Sequence, residues 1–189
     1  MPRINKTRYA LLGALSVRPG SGYDIKKFCD RSIAFFWTEN YAQIYPVLKQ
    51  LEQEGLVYKE TENTPGRPPR NVYHITEEGR AELNDWLLLP VEPSNFRWEL
   101  LLKLLFSGDI PTSNIIEKLE KKKSDESKIL NYVNEVEEKM KSAEPDRKGW
   151  HLWLAAVRAG KHLSQASIAW CDETIAMLRE YEIENGNNE

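Results

Sequence analysis

Residues 38–55 constrain the fold more than any other part of this sequence, because their apolar side chains recur with the period of an α-helix. Ile44, Leu48 and Leu51 follow one another at spacings of four and three residues, with Val47 beside them. The other face is polar, rich in amides and low in charge, and it comprises Asn40, Gln43, Lys49, Gln50 and Gln53. Such a helix buries one narrow stripe and leaves its amide face outside.

The amide-rich face has two interpretations. Side-chain amides offer paired donors and acceptors that match base edges in the major groove of DNA. An ordinary solvated helix usually carries Glu and Lys in comparable numbers, but a surface helix with an unusual composition is the plain alternative. The flanking segments have to decide between these interpretations.

A hairpin is predicted directly after this helix. Residues 56–58 and 71–75 have strand-like composition, and roughly a dozen polar residues separate them. The tip sequence Gly66-Arg-Pro-Pro-Arg70 restricts the backbone to extended conformations. Arg67 and Arg70 would be held outward, where guanidinium groups can bind phosphates. The segment therefore predicts a β-wing beside the helix.

Further helices are predicted on both sides. Residues 7–17 and 21–30 form two earlier helices, the second starting with a capping-box pattern at Ser21 and Asp24, and Thr76 caps a helix after the hairpin. The order helix, helix, helix, strand, strand, helix is that of a winged helix-turn-helix. Prolines at 90 and 93 mark a boundary, so residues 1–90 are predicted to form a DNA-binding domain. Pro46 is unfavourable inside the third helix and predicts a kink there.

The charge of the chain gives no support for nucleic-acid binding. The formal net charge is −3, and residues 1–90 hold 12 Lys and Arg against 11 Asp and Glu. A basic patch would have to come from local placement of side chains. A winged-helix module that binds another protein and no DNA therefore stays open as an alternative.

Other functional classes find little support in the sequence. The three histidines are dispersed, and there is no nucleophile elbow, phosphate loop or zinc-binding pattern, so neither an enzyme nor a metal or cofactor is expected. The N-terminus lacks an apolar signal core, and no apolar stretch reaches membrane-spanning length, which predicts a cytoplasmic protein without a membrane partner. Cys29 and Cys171 are expected to be buried small hydrophobes, a redox pair being the alternative.

The second domain, residues 91–189, is predicted to be all-α and to end in one long helix. Helices are expected at 97–106, 112–142 and 147–184, and the last would span about 55 Å. A helix of that length cannot bury its whole apolar stripe against its own short chain, so we expect a homodimer. The expected dimer interface comprises Trp150, Trp153, Val157, Gly160, Leu163, Ser164, Ser167, Trp170, Cys171 and Leu178. The alternative is an intramolecular three-helix bundle of residues 97–184.

Several motifs together resemble the PadR family of transcription regulators. They are Ser21-Gly-Tyr-Asp-Ile25, Gln43-Ile-Tyr-Pro46, Leu48-Lys-Gln-Leu51, Glu54-Gly55, Gly66-Arg-Pro-Pro-Arg70 with Tyr73, and Ile75-Thr-Glu-Glu-Gly79. The helical second half, with residues 85–87 and 142–145, resembles the long-tailed members of that family. The resemblance implies a cytoplasmic, dimeric and usually repressive regulator that leaves its operator when a small molecule binds, and it implies no catalysis.

The same resemblance implies a set of DNA contacts: Asn40, Tyr41, Gln43, Tyr45, Arg67 and Arg70. Physical chemistry divides their roles and adds Lys49. Asn40 and Gln43 suit adenine edges, whereas the tyrosine hydroxyls and the Lys and Arg charges suit the phosphate backbone. Tyr41 has a second interpretation as a core residue, because it precedes Ile44 by three positions.

A small-molecule effector is expected in or near the second domain. Phenolic acids and other flat aromatic molecules are ligand classes associated with the family, and tryptophans beside a cationic group suit them. The candidate residues are Trp37, Trp150, Trp153 and Arg158. At each position, the alternative is a tryptophan that only fills a core or a dimer contact.

Overall fold

A computed structural model of the chain describes residues 5–32, 37, 41–63, 66, 69–93, 97–142 and 149–186. The chain divides into two compact units, Met1–Pro93 and Ser94–Glu189. Among the described residues, no helix combines the length and the apolarity needed to cross a membrane.

The first unit has the predicted order of elements. Helices α1 (Lys6–Val17), α2 (Gly22–Ser32) and α3 (Tyr41–Gln53) precede strands β1 (Val57–Glu62) and β2 (Arg70–Ile75), and α4 (Glu77–Leu88) follows. Side chains cap the helices as the sequence predicts: the Ser21 hydroxyl accepts from the Asp24 N–H at 3.3 Å, and the Thr76 hydroxyl accepts from the Gly79 N–H at 3.0 Å. Helix α3 passes through Pro46, where the kink stays a prediction.

One hydrophobic core holds the first unit together. It joins α1, α2, α3, α4 and the base of the wing, and its fully buried residues include Leu11, Leu12, Leu15, Ile44, Leu48 and Leu51. At its edge the rings of Tyr9 and Trp86 stack with centroids 4.5 Å apart. Beside them the Arg8 guanidinium pairs with Glu54 of the α3–β1 turn at 2.7 Å and Glu82 of α4 at 2.5 Å. The apolar period of α3 thus fixes which of its faces is buried.

The wing is an antiparallel pair of strands that extends further than the composition predicts. The register runs from Val57 opposite Ile75 to Glu62 opposite Arg70, so part of the predicted polar loop is strand. Strand β1 is exposed to solvent beyond its first residue. An antiparallel pair of strands with one face in water can carry polar side chains on that face. Gly55 and Gly66 adopt φ angles of 75° and 78°, a conformation that favours glycine where α3 ends and at the wing tip.

The second unit is a long antiparallel helix pair with a short helix beside it. Helix α5 (Glu99–Leu105) precedes α6 (Thr112–Ser142) and α7 (Trp150–Gly186). The ion pairs between α6 and α7 show that the two helices are antiparallel. Glu137, late in α6, pairs with Arg158, early in α7, whereas Glu120, early in α6, pairs with Arg179, late in α7. With 37 residues, α7 spans about 55 Å. The mainly α fold with a two-stranded wing and a long terminal helix is confirmed.

The packing of α7 corrects one premise of the dimer prediction. Val157, Gly160, Ser164 and Cys171 are already buried within the chain. The Ser164 hydroxyl donates to Glu126 of α6 at 2.8 Å, and Cys171 packs with Ile115 and Leu119 of the same helix. The premise that this face lacks a partner is wrong, because a hairpin lets α6 cover it. The small residues allow α6 to approach closely.

Both cysteines are buried, each in the core of its own unit. Burial raises the pKa of the Cys171 thiol above its ordinary value, which keeps the thiol protonated and unreactive. The expectation of small buried hydrophobes is confirmed.

Candidate nucleic-acid interface

Helix α3 presents its amide face to solvent. Gln43, Tyr45 and Lys49 are exposed, whereas Ile44 and Leu48 are fully buried. Burying each of these apolar side chains stabilises the fold by about 1.5–3 kcal/mol, so rotating the helix to hide its amides would be costly. The stripe therefore holds the polar face outward, where it is available to a large ligand.

Two contacts fix the position of α3 at its ends. Gln50 donates to Glu54 at 2.8 Å, and Glu54 in turn binds Arg8 of α1. At the other end, the ring of Tyr45 lies against Gly22, the first residue of α2: a Cβ added at Gly22 would come within 2.7 Å of Tyr45 Cε1. Tyr45 is 53% exposed, so one side of its ring rests on α2 while the other is open.

Arg70 begins strand β2 and is held by two carboxylates. Its Nε lies 2.9 Å from Glu62 Oε2 on the facing strand, and its Nη1 lies 3.5 Å from Asp24 Oδ2 on α2. The Ser21 hydroxyl and amide also donate to Asp24, at 2.6 and 2.9 Å. The hydrogen bond from the Ser21 side chain, reinforced by Arg70, keeps the pKa of Asp24 below its ordinary value. The guanidinium that the sequence assigned to phosphate is thus balanced within the protein.

Most cations among the described residues of the first unit have carboxylate partners. Lys6 pairs with Glu92, and Lys26 pairs with Asp30. By contrast Arg18, Lys27 and Lys49 are exposed and form no ion pair with any other described residue. The positive charge of this surface therefore comes from a few side chains, as the near-neutral composition requires.

Two exposed residues of α2 were missing from the site predicted by sequence. Tyr23 is 58% exposed, and Lys27 follows it by one helical turn, which places both on one face. A helix preceding the recognition helix crosses the DNA backbone in helix-turn-helix proteins, where a hydroxyl and an ammonium suit phosphate. The sequence signal that could have identified them is the four-residue spacing of Tyr23 and Lys27, directly after Gly22.

Some predicted DNA contacts lie outside the described residues. These are Asn40 and Arg67. Tyr41 begins α3, but its side chain is not among those described, so both of its interpretations stay open.

The effector candidates have partners within the chain. Trp150 donates its indole N–H to the Met140 carbonyl at 3.2 Å, and Trp153 and Trp37 are half-buried. Arg158 binds Glu137 at 3.0 Å. Glu137 is 4% exposed, and hydrogen bonds from Lys161 and Arg158 lower its pKa to about 2. Arg158 therefore shares this internal anion with Lys161 and Lys141.

A second apolar stripe runs along α7. Its exposed members recur at four, three, four and three residues: Leu152, Ala156, Ala159, Leu163 and Ala166. Half-buried Trp170 continues the pattern, and Met177 follows one heptad later at 58% exposure. Of the residues expected at a dimer interface, Leu163, at 66% exposure, and half-buried Trp170 lie on this stripe. The repeat of seven residues is the signal that sequence reasoning missed.

These features define the class: the first unit is a winged helix-turn-helix with an outward amide face. Within the described residues, no group of three or more His, Cys, Asp or Glu side chains is placed to hold a metal ion.

Comparison with known proteins identifies the family. Residues 11–85 match the model of the transcriptional regulator PadR-like family, and residues 96–179 match that of the virulence activator alpha C-terminal region. The negative transcriptional regulator PadR of Bacillus subtilis is 32% identical over 180 residues, which cover 90% of this chain and 96% of the relative. The chain belongs to the PadR-like family of transcriptional regulators, whose members are regulators and not enzymes.

Solved structures share the fold. The crystal structure of B. subtilis PadR in complex with operator DNA superposes with a TM-score of 0.80 at 23% identity, covering 93% of this chain and 99% of that one. The same regulator in complex with p-coumaric acid gives a TM-score of 0.68 at 26% identity, covering 91% of this chain and 94% of that one. The winged helix fold is thus confirmed.

Proposed function

We propose that residues 1–90, within the first unit, bind operator DNA by placing the exposed face of α3 in the major groove. The observation that carries this proposal is the outward position of Gln43, Tyr45 and Lys49 above a fully buried stripe. Gln43 pairs with a base edge, and the hydroxyl of Tyr45 and the ammonium of Lys49 bind phosphates. Asn40, Tyr41 and Arg67 complete the proposed contact set, whereas Arg70, which the sequence also assigns to it, is bound by Glu62 and Asp24. The operator complex of B. subtilis PadR supports this role.

Residues 91–189, which include the second unit, act as the dimerisation and effector-sensing domain. The exposed stripe of α7 supports dimerisation, because a contiguous apolar face that α6 does not cover is unfavourable in water. A seven-residue repeat with alanines between Leu152 and Leu163 suits a closely packed helix pair. A homodimer duplicates α3, so the operator is pseudo-palindromic with half-sites about one helical turn apart, or a multiple of it.

The regulator acts as a repressor that a small aromatic molecule releases from DNA. The name of the B. subtilis relative, a negative regulator, and its complex with p-coumaric acid support this part of the proposal. Trp37, Trp150, Trp153 and Arg158 remain the proposed effector residues. An anionic effector would have to compete with Glu137 for Arg158, which links ligand binding to the contact between α6 and α7.

Selection of duplexes from a random pool, with and without p-coumaric acid, tests the three parts together. We expect a pseudo-palindromic consensus whose yield falls when the acid is present. A consensus without symmetry would contradict the dimer, and an unchanged yield across a panel of aromatic acids would contradict the effector. A winged-helix module for protein binding would retain no duplex even at low salt, where phosphate contacts are strongest.

A further inference from the structure

A seam of contacts joins the start of α2 to the base of the wing. The N–H of Gly20 donates to the Tyr73 carbonyl at 3.2 Å, and the N–H of Tyr73 donates to the Gly20 carbonyl at 3.0 Å. Arg70 precedes Tyr73 by three residues, and Asp24 follows Gly20 by four. Their side chains, 3.5 Å apart, extend the seam beyond the backbone bridge.

Both partners of this ion pair are oriented before they meet. Ser21 holds the Asp24 carboxylate with two hydrogen bonds, and Glu62 holds the Arg70 Nε from the facing strand. Exposed ion pairs are weak largely because two long side chains must be ordered. Here the capping box of α2 and the pairing of β1 with β2 already supply that order.

The surroundings of Arg70 are unfavourable for a phosphate ligand. Glu62 and Asp24 supply two negative charges to one guanidinium, and Arg70 is half-exposed. A DNA phosphate bound to Arg70 would lie close to both carboxylates and would be repelled by them.

We propose that Asp24 and Arg70 are positioning residues that fix the wing relative to α2 and α3, so that Arg70 supports DNA binding through the placement of the wing and not through a phosphate contact. This inference rests on the proposed DNA binding. It also reassigns Arg70 from the contact set that the sequence predicts.

The two possible roles of Arg70, positioning the wing and binding a phosphate, predict opposite effects of the substitution Asp24→Asn on DNA affinity. Asp24→Asn removes a negative charge from the DNA-facing unit, so general electrostatics requires equal or tighter binding. If Asp24 holds the wing through Arg70, the same substitution weakens binding, by about two- to fivefold for a pair of this exposure. The asparagine can still accept the hydrogen bonds of Ser21, so the start of α2 keeps its cap.

The test uses the full-length chain and a fluorescent duplex selected from a random pool by the wild-type protein. Binding is measured by anisotropy across a salt series for wild type, Asp24→Asn, Arg70→Gln, Arg70→Lys and the double variant Asp24→Asn/Arg70→Gln. Glu60→Gln is the matched control, because it removes the same charge from the same strand without touching Arg70 or α2. Thermal unfolding verifies that each variant is folded.

The positioning role predicts that Asp24→Asn and Arg70→Gln weaken binding alike, that the double variant is no weaker than either, and that the slope of log K against log salt stays constant. Arg70→Lys keeps the charge but loses the two-pronged geometry, so it is also expected to weaken binding. Glu60→Gln should bind at least as tightly as wild type.

A phosphate contact predicts the reverse: Arg70→Gln lowers the slope by about 0.9 and Asp24→Asn binds as tightly as wild type or more so. That result, or an equal loss in Glu60→Gln, overturns the inference while wild-type binding upholds the proposed function. If the wild-type chain enriches no duplex, the proposed function fails and this inference fails with it.

Discussion

The ring of Tyr45 packs directly on the α-carbon of Gly22, so the recognition helix touches the start of α2 at a position that has no room for a side chain. A methyl group at Gly22 would lie 2.7 Å from Cε1 and 2.9 Å from Cζ of that ring. Because the ring is half-exposed, it can move away without opening the core. This contact makes the orientation of Tyr45 dependent on the residue at position 22.

Gly22→Ala is therefore expected to weaken DNA binding several-fold while leaving the fold stable. The methyl group displaces Tyr45, and the higher helix propensity of alanine offsets much of the strain. The measurement is duplex anisotropy together with thermal unfolding. Gly13→Ala is the control, because a Cβ there meets nothing within 4 Å: it should stabilise α1 by up to about 1 kcal/mol and leave DNA affinity unchanged. Unaltered binding by Gly22→Ala would remove Tyr45 from the contact set.

Replacing Gln43 and replacing Lys49 are expected to impair DNA binding in different ways. Gln43→Ala should relax base preference at one position of each half-site by about 1–3 kcal/mol, because a bidentate contact to a base is lost. Lys49→Gln should weaken all sequences similarly and lower the salt slope by about 0.9 per site. Parallel selection and salt titration of both variants measure this, and interchanged results would reverse the assigned roles.

Leu163→Glu is expected to convert the dimer to a monomer. Leu163 lies on the exposed stripe of α7, where a charge would be buried without a partner on association. Light scattering over a concentration series gives the mass, and circular dichroism verifies the fold. Gln165→Glu adds the same charge at an exposed position on a different face and should leave the mass unchanged. A dimer that persists in Leu163→Glu would place the interface elsewhere.

The second unit is expected to lose stability in acid through Glu137. Hydrogen bonds from Lys161 and Arg158 lower the pKa of this carboxyl from 4.5 to about 2, so its contribution is complete above pH 4.5 and is lost as the pH falls towards 2. Denaturant unfolding at a series of pH values should show this loss in wild type and a flatter profile in Glu137→Gln. Glu138→Gln, which removes an exposed carboxylate bound to Lys141, is the control and should retain the wild-type profile. Identical profiles for wild type and Glu137→Gln would assign the acid sensitivity to other groups.

Local sequence was a reliable guide wherever one element supplies its own signal. The period of α3, the capping pair Ser21 and Asp24, and the length of α7 are all recovered in the structure, because helix geometry and end capping depend on residues three or four positions apart. The wing was placed correctly but its strands were drawn too short, because strand pairing satisfies polar residues that composition alone assigns to a loop.

Contacts between distant residues were the part that local patterns missed. Arg70 looked like a free cation at the end of a stiff loop, yet Asp24 lies 46 positions earlier and meets it only through the fold. Likewise Ser164 and Cys171 looked like a surface for a second chain, whereas the hairpin between α6 and α7 covers them internally.

The sequence by itself thus determined the class of fold, the outward face of α3 and the family, since each follows from short-range periodicity and ordered motifs. Only the tertiary structure decided which charges are already paired and which apolar stripe of α7 remains exposed. The physical reason is that burial and ion pairing are properties of surfaces brought together from separate parts of the chain, and residue spacing within one helix does not specify its neighbour.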